Sequence, residues 1–207
     1  MCNLYDIGTA RQASSSQWAE VVRSVIGDLV KTLNIRRTDP GLVVRYDDGQ
    51  PMAEQMRWGI DMGHRSPTNN SRADRLKTVW KDSFENRRCV IPMSAFYEWS
   101  GKRTYAVQNP DPDQTMWAAG LWQVSTSEGN SGYSMITTAA APWFADIHSR
   151  MPALIPESEI QAYLEGEPPY HMIQPWDNAL DIMHCENPLT LKQPSPPIPV
   201  SQMDLFG

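Results

Sequence analysis

A cysteine stands at position 2, directly behind the initiating methionine, and that placement alone offers chemistry. A methionine followed by a small residue is the kind of start that aminopeptidases trim. Trimming here would leave Cys2 with a free α-amine beside its thiol. Such a 1,2-aminothiol captures aldehydes: the amine condenses to an imine, and the neighbouring sulfur closes a five-membered thiazolidine ring. An α-amine titrates near ~7.7–8.0 and a free thiol near ~8.5, so both groups are expected to be usable at neutral pH without strong tuning. The alternative is that Cys2 packs as a buried thiol at the start of a first strand.

Three other stretches carry reactive or binding residue types. Asn70-Ser71-Arg72-Ala73-Asp74 opens a segment in which Asn70 could cap a helix. Arg88-Cys89-Val90-Ile91-Pro92 leads into Phe96-Tyr97-Glu98-Trp99. There Tyr97 and Trp99 share one strand face, and an inward Glu98 on the other would have a raised pKa. His148-Ser149-Arg150-Met151-Pro152 follows the strand that ends Thr137-Thr138-Ala139-Ala140. Read alone, His148 is as compatible with a surface loop as with proton transfer, and Arg72 and Arg150 are as compatible with surface ion pairs as with anion binding.

The elements that must position these residues read as a mixture of strands and a few helices. Trp18, Val21, Val22, Val25, Ile26, Leu29, Val30 and Leu33 recur at helical spacing, which predicts a helix over 16–33 with Ser16 as its N-cap. Asp47-Asp48-Gly49 predicts a turn joining a strand at 42–45 to one at 55–60. Short strands are expected at 89–92, 96–99, 105–108, 116–122 and 133–138, and helices at 73–80 and 156–164. The fold class is therefore α+β, with a strongly curved, barrel-like, mostly antiparallel sheet flanked by helices. One domain is expected over 1–186, followed by a proline-rich tail over 187–207.

Composition narrows the class. Three widely spaced cysteines give no disulfide framework, and no CxxC and histidine pairs stand at zinc-finger spacing, so neither a metal nor another cofactor is expected. No stretch approaches the ~18 apolar residues of a membrane span, and the N-terminus lacks a basic then apolar signal. A cytoplasmic monomer with no membrane partner is expected. A net charge of −6 argues against coating nucleic acid by bulk electrostatics, yet Arg57, Arg65, Arg72, Arg75, Lys77 and Lys81 gather in a short span that could form a local positive groove.

Taken together, Met1-Cys2, Arg57-Trp58-Gly59, Asn70-x-Arg72, Arg88-Cys89, Phe96-Tyr97-Glu98-Trp99, Thr138-Ala139-Ala140 and Ile147-His148-x-Arg150-Met151-Pro152 resemble the SRAP family, the SOS-response-associated peptidases. The resemblance covers roughly residues 1–165. It implies that the chain crosslinks to abasic sites in single-stranded DNA through a thiazolidine at Cys2. By the same resemblance Asn70 would hold the N-terminus, Glu98 would shuttle protons and His148 would assist sugar opening. Arg72 and Arg150 would grip phosphates and Thr138 would add a backbone contact; Trp58 and Arg65 are further expected DNA contacts, Arg65 by stacking or by binding phosphate. The chain departs from the family pattern where Asn3-Leu4 replace the frequent Gly-Arg, and where Gly63-His64-Arg65 replace tryptophans apt for base stacking.

The tail ends Gln202-Met203-Asp204-Leu205-Phe206, similar to the Gln-x-Asp-Leu-Phe pentapeptide by which bacterial proteins dock on the sliding clamp. Gln202 would hydrogen bond, while Leu205 and Phe206 would fill apolar pockets. Two rivals remain open at this point. One is an N-terminal-nucleophile amidohydrolase or peptidase, whose terminal cysteine amine serves as base. The other is a non-catalytic module for single-stranded DNA in which Cys2 is incidental.

Overall fold

The computed structural model describes residues 2–8, 16–29, 34–63, 66–124 and 131–190, with the side chains of 26–29 excepted. In chain order the strands are β1 (Leu4–Asp6), β2 (Asn34–Arg36), β3 (Pro40–Asp47), β4 (Gln50–Trp58), β5 (Asn70–Arg72) and β6 (Arg88–Met93). They continue with β7 (Ala95–Ser100), β8 (Arg103–Gln108), β9 (Met116–Val124), β10 (Ser131–Ala139), β11 (Arg150–Pro152) and β12 (Asp181–Cys185). The helices are α1 (Gln17–Leu29), α2 (Lys81–Asn86) and α3 (Ile160–Leu164).

Two sheets share one core. β12-β8-β7-β1-β2 form an open, wholly antiparallel sheet. In the second sheet β4, β3, β6, β9 and β10 pair in succession, and β10 pairs back to β4, so these five strands close on themselves. Only the β4–β10 and β5–β10 contacts are parallel. Closure removes sheet edges that would otherwise need covering. The fold is thus the expected α+β class with a barrel-like sheet.

Local chemistry explains the best-defined corners. Asp48 and Gly49 both have positive φ (48° and 75°) between the paired residues Asp47 and Gln50. This is the two-residue hairpin whose twist matches that of its strands, and Asp-Gly is its preferred sequence. Ser16 caps α1: its hydroxyl accepts from the Ala19 N–H at 3.2 Å. The helix lays Trp18, Ala19 and Val22 against the core beside β3 and β4. Tyr5 and Tyr133 hydrogen bond through their hydroxyls within the core, directly over Gly41, where any Cβ would collide with both oxygens.

Other expectations are corrected. The segment 73–80 is not a helix: Ala73–Arg75 makes one 3-10 turn, further turns follow, and the α-helix begins only at Lys81. Leu76 and Trp80 are both buried, one turn of chain apart, and successive turns place them on the core without a helix. Pro156 precedes a 3-10 turn at Glu157–Glu159, and α3 covers only five residues. Strands β2 and β11 span only three residues each, and β12 is mostly exposed, so none announces itself in the sequence. The expected helical residues 30–33 lie outside the described residues.

Arg88 fastens the helices to the barrel. Its buried guanidinium donates to the carbonyls of Phe84 (2.8 Å) and Glu85 (3.0 Å) at the end of α2. It also donates to those of Tyr163 (2.6 Å), Leu164 (3.3 Å) and Gly166 (2.8 Å) at the end of α3. Two helix C-termini, each rich in unpaired carbonyls, therefore share one cation.

Candidate active site

Cys2 lies just ahead of β1, which runs antiparallel to β7 with Tyr5 opposite Phe96 and Asp6 opposite Ala95. Continuing that register backwards carries the chain from Tyr5 toward Glu98. The two side chains do meet electrostatically: burial pushes the Cys2 thiol far up from its ordinary value, and the Glu98 carboxylate adds to that rise. Cys2 is wholly buried, and its Sγ–H donates to the Leu4 carbonyl at 3.2 Å. The expectation of a thiol that ionises without strong tuning is therefore corrected, because desolvation disfavours the thiolate. A base must take the proton for the sulfur to act as nucleophile.

Glu98 is suited to that task. It is 2 % exposed, and burial raises its carboxyl from 4.5 to about 7, which leaves it exchanging a proton near neutrality. The charge of the chain's amino terminus works against the rise. Asn70 sits on β5, not at a helix start, and its Nδ2 donates to the Cys2 carbonyl at 2.7 Å. It thereby fixes the peptide that follows Cys2.

His148 precedes β11. Its Nδ1 accepts from the Arg150 N–H at 3.0 Å and lies 3.1 Å from the Arg150 carbonyl, so the backbone of Arg150 orients the ring. Burial lowers its pKa, and the amino-terminal charge lowers it further. The charge of the chain's amino terminus thus acts on both His148 and Glu98.

Arg72 and Arg150 flank β10 from opposite sides. Arg72 pairs in register with Thr137, and Arg150 with Ala139. The Arg150 guanidinium donates to the Thr137 hydroxyl (3.2 and 2.9 Å) and to the Thr137 carbonyl. Arg72 reaches solvent but is held by Asp74 in a two-pronged pair, Nε to Oδ1 at 2.9 Å and Nη2 to Oδ2 at 2.6 Å. Neither Thr137 nor Asp74 stood out as a site residue in the sequence, because what matters is the strand pairing and the turn after β5.

Trp58, one of the expected DNA contacts, is enclosed by the core, and the Thr138 side chain is turned inward, which leaves the expected Thr138 contact to its backbone. The Trp58 ring is fully buried, stacked on Tyr133 and edge-on to Tyr5, so its faces are closed to bases. Its Nε1 donates to the Asn69 carbonyl at 2.8 Å, which anchors the residue next to Asn70. Gly59 follows at φ 148°, a conformation that favours glycine, with a Cβ there pressing on Pro67. Thr138 is 3 % exposed and its hydroxyl donates to the Ala139 carbonyl at 2.9 Å, so no side-chain group of it faces outward. Arg65, Gln202, Leu205 and Phe206 lie outside the described residues. Among the described residues no cluster of His, Cys, Asp or Glu could hold a metal ion, and no helix is long and apolar enough to cross a membrane.

The chain is thus an α+β domain with a self-closing sheet, in which Cys2 is buried next to Asn70 and close enough to Glu98 to feel its charge. The sequence profile of the family described as SOS response associated peptidase (SRAP) matches residues 1–187, and the chain belongs to that family. It is 27 % identical over 173 residues to the abasic site processing protein YoqW of Bacillus subtilis, covering 73 % of this chain and 76 % of that protein. It is 30 % identical over 161 residues to the abasic site processing protein HMCES of Xenopus tropicalis, covering 59 % of this chain and 48 % of that longer protein. A solved structure of a Bordetella bronchiseptica protein superposes with a TM-score of 0.72 at 21 % identity, over 90 % of this chain and all of that one. A protein from Bacteroides thetaiotaomicron gives 0.69 at 20 % identity, over 90 % and 93 % of the two chains. These two establish kinship of fold.

Proposed function

We propose that the protein captures abasic sites in single-stranded DNA as a covalent thiazolidine at Cys2, shielding the lesion from strand cleavage during replication. The observation that carries this reading is the burial of Cys2 against Glu98, a carboxyl raised to about 7, with the Cys2 carbonyl pinned by Asn70. The names of YoqW and HMCES as abasic site processing proteins support it.

The geometry supports the following sequence of steps. Removal of Met1 leaves the amine on Cys2. His148, neutral at pH 7 because burial lowers its pKa, exchanges a proton with the closed sugar as the ring opens to its aldehyde. The Cys2 amine adds to the aldehyde carbon, and protonation by Glu98 lets water leave, giving the imine. Ionised Glu98 then takes the Sγ proton as sulfur bonds to the carbon of the protonated imine, which leaves the ring nitrogen neutral and Glu98 protonated again. Run backwards, the same exchange releases the adduct slowly. Arg150 and Arg72 hold backbone phosphates on either side of β10. Leu205 and Phe206, with Gln202, dock the tail on a bacterial sliding clamp and so bring the domain to replication forks.

The test is a crosslinking assay on an abasic single-stranded oligonucleotide. Wild type forms a heat-stable adduct, and Cys2→Ala forms none. An adduct of equal yield with Cys2→Ala refutes the proposal. For the tail, Leu205→Ala with Phe206→Ala abolishes binding to a purified bacterial clamp; unchanged clamp binding refutes that part alone.

A further inference from the structure

Arg72 presents a planar fork of N–H donors to solvent, yet in the free protein the fork is already filled. Both prongs end on the carboxylate of Asp74, two residues along, at 2.9 and 2.6 Å. Both partners are half-exposed, at 54 % each, so the pair stands at the surface and is not built into the core. A carboxylate offers a guanidinium the same pair of oxygens, at the same spacing, as two oxygens of a phosphodiester. Arg150 lies near enough to act on the same group: it lowers the Asp74 pKa after Arg72 does, and Arg72 lowers that of Arg150. Two cations and one carboxylate are thus gathered around Thr137, to which Arg72 is paired in register and to which Arg150 is bonded.

We infer that Asp74 is a built-in competitor for DNA phosphate at Arg72, which keeps undamaged single strands weakly held so that retention depends on covalent capture at Cys2. This rests on the reading that the site takes single-stranded DNA. The consequence is an exchange: a phosphate reaching Arg72 displaces Asp74, so the gain from the new contact is offset by the loss of the old one. It also means that this arginine enters the complex already neutralised and recruits fewer counterions in the free state than an unpaired cation would.

The experiment measures fluorescence anisotropy of an undamaged single-stranded oligonucleotide with the full chain across a salt series, for wild type, Asp74→Asn, Arg72→Ala and the double variant, each checked for an unchanged melting curve. Asp74→Asn is expected to tighten binding about 2–5-fold, in line with the modest worth of an exposed, well-aligned ion pair. It should also steepen the slope of log affinity against log salt by about 0.7, the value of one further single-strand phosphate contact. In the Arg72→Ala background the same substitution should give less than a third of that gain. An unchanged affinity for Asp74→Asn overturns the inference. So does an equal gain without Arg72, which marks a general charge effect. Binding by none of the four proteins overturns the DNA reading itself.

Discussion

Glu98 holds a proton in the folded protein up to about pH 7, whereas in an unfolded chain it would lose that proton near 4.5. Between these values the native state binds the extra proton, so stability falls as pH rises through the window and stays lower above it. Glu98→Gln removes that penalty. Thermal melts should show the variant more stable than wild type at pH 8, by up to about 3 kcal/mol, with little difference at pH 4.5. A gain that does not grow with pH would show that the carboxyl ionises as freely in the fold as outside it. The same substitution should slow adduct formation about 100-fold and erase a rate inflection near pH 7, read from single-turnover gels across pH. At this scale the sequence carried much of the site. Cys2, Glu98 and His148 could be picked out by type and position, and Glu98 by its place between Tyr97 and Trp99. The state of the Cys2 thiol could not, because burial is a property of the assembled sheets and position 2 of a chain says nothing of it.

At the level of elements, the site depends on β1, β5, β7, β10 and β11 keeping register, and on helices that end where Arg88 can reach them. Replacing that residue by methionine would strand five carbonyls in the interior. Arg88→Met is expected to cost about 3 kcal/mol in urea denaturation, while adduct formation per folded molecule stays near that of wild type. A loss under 1 kcal/mol would mean that water or neighbouring groups satisfy those carbonyls. Gly41→Ala should be costly too, about 2 kcal/mol or more, because the new methyl meets the Tyr5 and Tyr133 hydroxyls. The long strands were legible in their β-branched and aromatic runs, and the Asp48-Gly49 hairpin in its turn chemistry. The 73–80 segment was not, since Leu76 and Trp80 satisfy a helix and a chain of turns alike. Short strands such as β5 exist only because β10 is there to pair with them, which explains why Asn70 read as a helix cap.

For the whole molecule, the family match ends at residue 187, where the proline-rich composition begins. A chain truncated after 187 should therefore capture an abasic oligonucleotide at the full rate; a tenfold loss would assign the tail a part in the chemistry. With an overall charge of −6, the proposed reading puts DNA contact on the few cations set around β10, so crosslinking at subsaturating protein should weaken steeply as salt rises. The most direct test of covalent capture is intact-mass spectrometry of the protein after incubation with an abasic single-stranded oligonucleotide, without any reducing agent. Capture as a thiazolidine gives a chain that begins at Cys2, carries the oligonucleotide less one water, and gains no hydrogen when borohydride is added. A mature chain that stays unmodified, or an adduct seen only after borohydride trapping, would contradict ring closure by the Cys2 sulfur.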